Sequence, residues 1–99
     1  MYHRSISVTE LNNYTNSLLK EDPVLSGISV TGEIAGYKRH SSGHIYFTLK
    51  DASAAVNCSY FRQYNYALEF DLRDGMLVEV VADAGIYERD GKFQLYVYG

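Results

Sequence analysis

The segment from Ser42 to Arg62 constrains the fold of this chain more than any other. Its sequence, SGHIYFTLKDASAAVNCSYFR, contains two runs that alternate apolar with polar residues on either side of a short turn. Alternate side chains of a β-strand point to opposite faces, so each run presents one apolar face and one polar, aromatic face. The apolar faces carry Ile45, Phe47, Leu49, Val56, Cys58 and Tyr60. The pattern predicts strands at about residues 44–50 and 55–61, with one shared face in a core.

A helix is predicted before these strands. Ser7 and Glu10 have the spacing of a capping box, in which each side chain bonds the backbone of the other residue. Apolar residues then recur at helical spacing until about residue 20, and Pro23 follows. The row consists of Val8, Leu11, Thr15, Leu18 and Leu19. We predict a helix over about residues 7–20 that packs on the core through Val8, Leu11 and Leu18.

Three further strands are predicted, at about residues 25–37, 76–87 and 92–98. Glycines 32, 36 and 85 indicate bulges or bends in the long strands, and Asp90-Gly91 is a hairpin signal. Residues 38–43 are expected to form a basic loop, and residues 63–74 a short helix or loop. Five bent strands can close into a barrel, which removes sheet edges. We therefore predict one all-β domain over residues 1–99, a five-stranded OB-fold with its barrel at about 25–98. An SH3-like barrel is the second choice.

Composition excludes several classes of protein. Hydrophobic residues make up 46% of the 99 residues, which is typical of a globular domain. No apolar run approaches the length of a membrane span, and the N-terminus lacks the apolar segment of a signal peptide. Cys58 is the single cysteine, so no internal disulfide can form. We expect a cytoplasmic protein without membrane contact.

The charges are unevenly distributed along the chain. The net charge is −3, which by itself argues against binding a polyanion. Residues 38–62, however, hold four cations and one acid, a net charge of +3, whereas the rest holds five cations and eleven acids, a net charge of −6. Charges beyond about 8–10 Å are largely screened at physiological salt, so the local charge matters more. The basic segment therefore favours contact with an anionic ligand.

The outer face of the two central strands is a candidate surface for single-stranded nucleic acid. Tyr46 and Phe61 are expected to stack on bases. The loop at 38–43 and the last hairpin, which carries Arg89 and Lys92, flank that face in an OB-fold and supply cations for phosphates. The candidate residues are Lys38, Arg39, His44, Tyr46, Lys50, Phe61, Arg89 and Lys92. The helix, with Lys20 as its single cation, is not expected to contact the ligand.

Catalytic and metal sites are not predicted. His40, His44 and Cys58 lack the second close ligand pair that zinc sites usually have. The chain contains no glycine-rich loop of the Walker or dinucleotide type and no recognisable catalytic set. We expect no metal, no cofactor and no small-molecule ligand in this domain. The aromatic face could also cover the barrel or contact another protein domain.

Several segments resemble one bacterial family. SVTELN, GEIAGYKRHSSGHIYFTLKD, CSYFR and GIYERDGKFQLYVYG are similar to the N-terminal domain of the exodeoxyribonuclease VII large subunit. The resemblance covers almost the whole chain and implies an OB-fold that binds single-stranded DNA. In that family the large subunit continues into a nuclease domain and recruits many copies of a small subunit. The assembled enzyme degrades single-stranded DNA to acid-soluble oligonucleotides.

The resemblance implies that this chain is a fragment whose catalytic residues lie elsewhere. The binding face it implies consists of His44, Tyr46, Lys50 and Phe61, with Lys38 and Arg39 beside them. Two positions depart from the family: Asn57 replaces a residue that is often basic, and Gly36-Tyr37 replaces an Asn-aromatic pair. An interaction or oligomerisation domain and a tRNA-binding OB-fold remain alternatives. The preference between DNA and RNA is left open.

Overall fold

A 14-residue helix precedes the barrel in the computed structural model, which describes residues 4–99. Helix α1 spans Val8–Glu21. The predicted capping box is confirmed: the Glu10 backbone N–H donates to Ser7 Oγ at 3.0 Å, and the Ser7 N–H donates to Glu10 Oε1 at 3.4 Å. Ser7 is the N-cap residue, with extended backbone, which explains why the helix begins at Val8.

Five strands form a closed barrel. They are β1 (Ile28–Arg39), β2 (Ile45–Lys50), β3 (Ala55–Tyr60), β4 (Leu77–Tyr87) and β5 (Lys92–Val97). The strand order is β1-β2-β3-β5-β4, and β4 pairs again with β1. Every pairing is antiparallel except β3 with β5. A short helix, α2 (Arg62–Asn65), lies in the link between β3 and β4. None of the helices within residues 4–99 is long and apolar enough to cross a membrane.

The predicted faces of β2 and β3 are confirmed. The two strands pair without interruption from Ile45–Tyr60 to Lys50–Ala55. Inward side chains from all five strands, joined by Leu72, form the core. The buried apolar residues are Ile34, Ile45, Phe47, Leu49, Cys58, Tyr60, Leu72, Val80, Ala82, Ala84, Leu95 and Val97. A bulge in β3 would turn Phe61 inward and Tyr60 outward, but β3 has none, so Tyr60 faces the core and Phe61 the outer surface.

A bulge in β1 changes the predicted position of two cations. The β1–β2 register shifts between Ala35 and Lys38, and Gly36 adopts a φ of 61°, which a residue with a side chain rarely adopts. After the bulge, Lys38 pairs with Tyr46 and Arg39 pairs with Ile45. These two residues therefore belong to a strand, and the prediction that they lie in a loop is wrong. The bulge inserts one extra residue into β1, and β1 then continues to pair with β2.

The predicted buried face of α1 is also wrong. Val8 is 74% exposed, and Leu11 and Leu18 are each 50% exposed. The helix instead docks beside β4 through a neighbouring side, which keeps only Thr15 and Leu19 of the predicted row and adds Asn12 and Asn16. Asn16 is only 5% exposed. The side that faces the barrel is thus largely polar.

The free edge of β4 explains this orientation. β4 pairs with β1 only as far as Ala82, so its second half has no strand on that side. The Ile86 N–H donates to Asn16 Oδ1 at 2.9 Å, and the Ala84 N–H donates to the Leu25 carbonyl at 2.9 Å. Buried backbone donors need acceptors, and leucine offers none. Asparagine therefore takes the docking position.

Candidate nucleic-acid interface

An open groove of about 720 Å³ runs over the outer face of β2, β3 and β5. The end of β1 borders it on one side and the β4–β5 hairpin on the other. Five of the sequence-predicted residues line it: Lys38, His44, Tyr46, Phe61 and Lys92. Side chains that the sequence analysis did not select also line it, namely Thr48, Ser59, Tyr87, Asp90, Gln94 and Tyr96, together with Asn57.

Three rings form a row across the groove. The His44 and Phe61 rings meet edge to face with centroids 5.1 Å apart, and the Phe61 and Tyr96 centroids are 6.1 Å apart. Tyr46 extends the aromatic surface along β2 and contacts the His40 ring edge to face at 6.2 Å. Such edge and tilted contacts are the geometries that aromatic rings prefer. We call these three rings, together with Tyr46, the aromatic row.

Hydrogen bonds near α2 hold one end of this row. The Arg62 N–H donates to His44 Nδ1 at 3.0 Å. The buried Asn65 Nδ2 donates to the carbonyls of Gly43 and Tyr60 at 2.9 and 2.8 Å, which ties the start of β2 to the end of β3. Because His44 Nδ1 accepts a bond, the neutral ring carries its proton on Nε2. His44 can therefore offer Nε2–H as a donor while its ring stays in place.

The middle of the groove is polar. Ser59 Oγ donates to Gln94 Oε1 at 2.6 Å, and this contact contributes to the burial of Ser59 on the outer face. Because this bond uses only the Gln94 amide oxygen, the two N–H donors of that amide stay available to a ligand. Asn57, the residue opposite Gln94 in the parallel pairing, is exposed. These groups could bond base edges or phosphates.

The groove carries two lysines and one carboxylate. Lys38 and Lys92 are exposed, and Asp90 Oδ1 accepts a bond from the Lys92 N–H at 2.9 Å. Burial, followed by the nearby charge of Glu88, raises the pKa of Tyr96. The Tyr96 phenol is therefore neutral at physiological pH and can lie against an anionic strand without repulsion.

The other three predicted residues lie outside this groove. Lys50 faces Glu33 in the β1–β2 register, and its Nζ lies 3.6 Å from Glu33 Oε2. Arg39 is exposed at the last position of β1 and does not line the groove. Arg89 lies on the far side of the β4–β5 hairpin, where it lines a second cleft. The binding roles of these three residues stay predictions.

Cys58 faces the core, and burial raises the pKa of its thiol to about 12. The thiol is thus protonated at physiological pH and buried in the core. In the part of the chain that the structure describes, no three His, Cys, Asp or Glu side chains are grouped in a way that could hold a metal ion.

Comparison with solved structures identifies the barrel as an OB-fold, as predicted. The second OB-fold domain of replication protein A from Methanococcus maripaludis superposes with a TM-score of 0.56. The superposition covers 76% of this chain and 81% of that domain, at 12% sequence identity. At this identity the likeness concerns the fold alone.

The sequence is similar to the large subunits of bacterial exodeoxyribonuclease 7, which confirms the resemblance noted above. Identity is 48% over 97 residues to the large subunit of Natranaerobius thermophilus and 46% over 93 residues to that of Clostridium perfringens. These alignments cover 98% and 94% of this chain and 23% of each relative. A large subunit of Clostridium botulinum is 44% identical over 97 residues, 98% of this chain and 24% of the relative. The chain therefore spans about a quarter of the length of these relatives.

A family described as the OB-fold nucleic acid binding domain matches residues 6–99. The match includes the helix, all five strands and every residue that lines the groove. By this match, the chain belongs to the family of OB-fold nucleic acid binding domains.

Proposed function

We propose that this chain is the single-stranded DNA-binding module of an exodeoxyribonuclease that degrades single-stranded DNA to short oligonucleotides. The observation that carries the proposal is the aromatic row in a groove bordered by Lys38 and Lys92. Rings that stack on bases, beside cations that contact phosphates, are the two components of sequence-tolerant single-strand binding.

The proposed binding mode excludes duplex DNA on physical grounds. Bases in a duplex are stacked on one another and cannot reach rings on a protein surface. Unpaired bases can stack on Tyr46, Phe61 and Tyr96 in turn, while the lysines contact the backbone between them. Binding should therefore depend little on base sequence and strongly on strandedness.

The relatives are nuclease large subunits about four times longer than this chain, which supports a role within a larger enzyme. In that setting the module would hold a single strand for a nuclease domain supplied by another part of the polypeptide. The enzyme would include a small subunit that contacts regions outside this chain, and it would act in the cytoplasm. Residues 4–99 would contribute binding and no chemistry.

The first test compares a tyrosine inside the groove with a tyrosine outside it. Tyr46→Ala should weaken binding of a fluorescent oligo-dT by about 1–3 kcal/mol, because one base loses its stacking partner. Tyr66, which is 78% exposed and lies outside the groove, provides the control variant Tyr66→Ala, for which we expect no change. Fluorescence anisotropy at fixed salt measures both. Equal affinity of the Tyr46 variant and the unmodified chain, with the fold intact by circular dichroism, would instead favour a protein-docking face.

A second test separates the lysines by their salt dependence. Lys38→Ala should flatten the slope of log K against log salt by about 0.7, the value for one single-strand phosphate contact. Lys50→Ala removes an equal charge from a side chain that lies beside Glu33 and outside the groove. If Lys50→Ala changes the salt slope as much as Lys38→Ala does, the bound DNA lies closer to the β1–β2 edge than we propose. Repeating the titration with RNA of the same sequence and with tRNA tests the tRNA-binding alternative.

An interaction domain is the second candidate function. The observation that favours it is the exposed apolar row of α1, where Val8, Leu11 and Leu18 remain in solvent. This row lies outside the groove, so it is compatible with DNA binding. An affinity for oligo-dT that is weak and insensitive to salt would favour this second function, because releasing counterions is a property of polyanion binding.

A further inference from the structure

A second cleft, of about 740 Å³, lies between α1 and the β4–β5 hairpin. Its walls include Asn16 and Lys20 from the helix and Glu88 and Arg89 from the hairpin. The volume falls in the range of roughly 300–1,000 Å³ that small-molecule sites occupy, so the cleft can accept a group the size of a nucleotide.

This cleft adjoins the groove of the aromatic row. Tyr87 and Tyr96 line both cavities. Gly85 allows the close packing at the junction: a Cβ atom there would lie 2.8 Å from Tyr96 Cε2 and 3.2 Å from Asn16 Oδ1. The Tyr96 ring can therefore lie directly against the β4 backbone. The last ring of the aromatic row is also a wall of the second cleft.

The charged groups of the cleft differ in how they are held. Glu88 Oε1 accepts a bond from Asn16 Nδ2 at 3.0 Å. Asp83 Oδ1 accepts bonds from the Gly27 N–H at 2.7 Å and from the Tyr98 hydroxyl at 3.2 Å. Both carboxylates are therefore engaged by neutral donors of the chain. Lys20 and Arg89 are exposed, and neither forms an ion pair within residues 4–99. The cations are thus free to move toward an incoming anion.

We infer that a DNA strand bound along the aromatic row continues past Tyr96 into the second cleft, where Lys20 and Arg89 contact its phosphates. The inference deepens the proposed function and rests on it. It assigns α1 a direct contact with nucleic acid, although a single lysine in a helix of mixed charge gave no such signal in the sequence. Tyr87 is the side chain that a base in this second position would meet, since it is 44% exposed and lines both cavities.

The test compares oligo-dT of two lengths, about 5 and about 12 nucleotides, within the range of site sizes known for OB-folds. Lys20→Gln and Arg89→Gln, combined, should leave the binding constant of the short oligonucleotide within twofold. With the long one, the salt slope should fall by about 1.4, the value for two single-strand phosphate contacts. Arg73→Gln is the control, because Arg73 is exposed and lines neither cavity. Its salt slopes should be unchanged at both lengths.

The outcomes distinguish this inference from the function on which it rests. Equal loss of slope for both lengths, or no loss for either, would overturn the second contact and leave the aromatic row as the binding site. Loss of slope in the Arg73 variant as large as in the double variant would show a general charge effect and would also overturn it. If neither length binds, or if Tyr46→Ala binds both as well as the unmodified chain does, the proposed function itself fails. Circular dichroism confirms that each variant is folded.

Discussion

The β2–β3 hairpin and helix α1 both have a clear apolar periodicity, yet they meet the core in different ways. In the hairpin, the residues that alternate in the sequence are the residues buried in the barrel. In the helix, Val8, Leu11 and Leu18 are at least half exposed, and the helix docks through a side on which Asn16 is the buried residue. Periodicity therefore predicted the buried face of the strands and not that of the helix.

The difference follows from the number of constraints on each element. Each strand of the hairpin is hydrogen-bonded on both sides, and a slip of one residue would turn every core side chain outward. The main neighbour of the helix is β4, whose second half has N–H groups that no strand pairs on that side. Rotating a helix by one residue exchanges rows without breaking its own hydrogen bonds. The need of Ile86 for an acceptor thus decides which row docks.

The largest expected effect concerns the core side of the hairpin. Phe47→Ala should lower the free energy of unfolding by about 3–5 kcal/mol, because Phe47 is 4% exposed and its removal leaves a cavity. Phe93→Ala is the matched control on β5, where the ring is 48% exposed, and it should cost about 1 kcal/mol or less. Urea denaturation followed by circular dichroism measures both. Equal losses for the two variants would contradict the assignment of faces.

An intermediate effect is expected where the helix docks. Asn16→Ala should cost about 1–3 kcal/mol, since the half-buried Ile86 N–H loses its acceptor and Glu88 loses a donor. Asn13→Ala changes the same residue type on the exposed side of α1 and should cost close to zero. Alanine favours a helix more than asparagine does, and this gain is common to both variants. It cancels when their free energies of unfolding are subtracted. A difference below about 0.5 kcal/mol would mean that the polar contact does not orient the helix.

The smallest effect is expected on the exposed row of the helix. Leu11→Ala should change the free energy of unfolding by about 0.5 kcal/mol or less, because half of the side chain is already in solvent and alanine is a good helix former. Thermal and urea denaturation of the unmodified chain and the variant test this. A loss of 2–5 kcal/mol, the range for a buried leucine, would show that this row is covered in solution.

In the binding face, too, some residues can be recognised from one stretch of sequence, whereas others depend on the pairing of distant strands. Tyr46, His44 and Phe61 were selected from the sequence because the alternation of one hairpin places them on the outer face. The same alternation places Tyr96 and Gln94 on the outer face of β5. The sequence could therefore have indicated their face. Their place in the groove depends on the parallel pairing of β5 with β3, two strands separated by more than 30 residues. No local pattern indicates that pairing.

Lys50 shows the reverse case, in which a local pattern selected a residue that the fold removes from the groove. It shares a face with Tyr46 along β2, but its register partner in β1 is Glu33, and the two charges lie 3.6 Å apart. The bulge at Gly36 places Lys38 opposite Tyr46, so that Lys38 reaches the groove, whereas Lys50 lies before the bulge and outside the groove. A glycine suggested a bulge, yet its position relative to the partner strand could be known only from the pairing.

The sequence by itself determined the start of α1, the faces of β2 and β3, and the hairpin turn before β5, because each depends on bonds between near neighbours or on the alternation within one strand. The tertiary structure decided which side of α1 docks, which ring joins Phe61, and which lysines line the groove. Those outcomes depend on the free edge of β4 and on strand pairings between distant segments. Hydrogen-bond partners of that kind exist only after the barrel has closed.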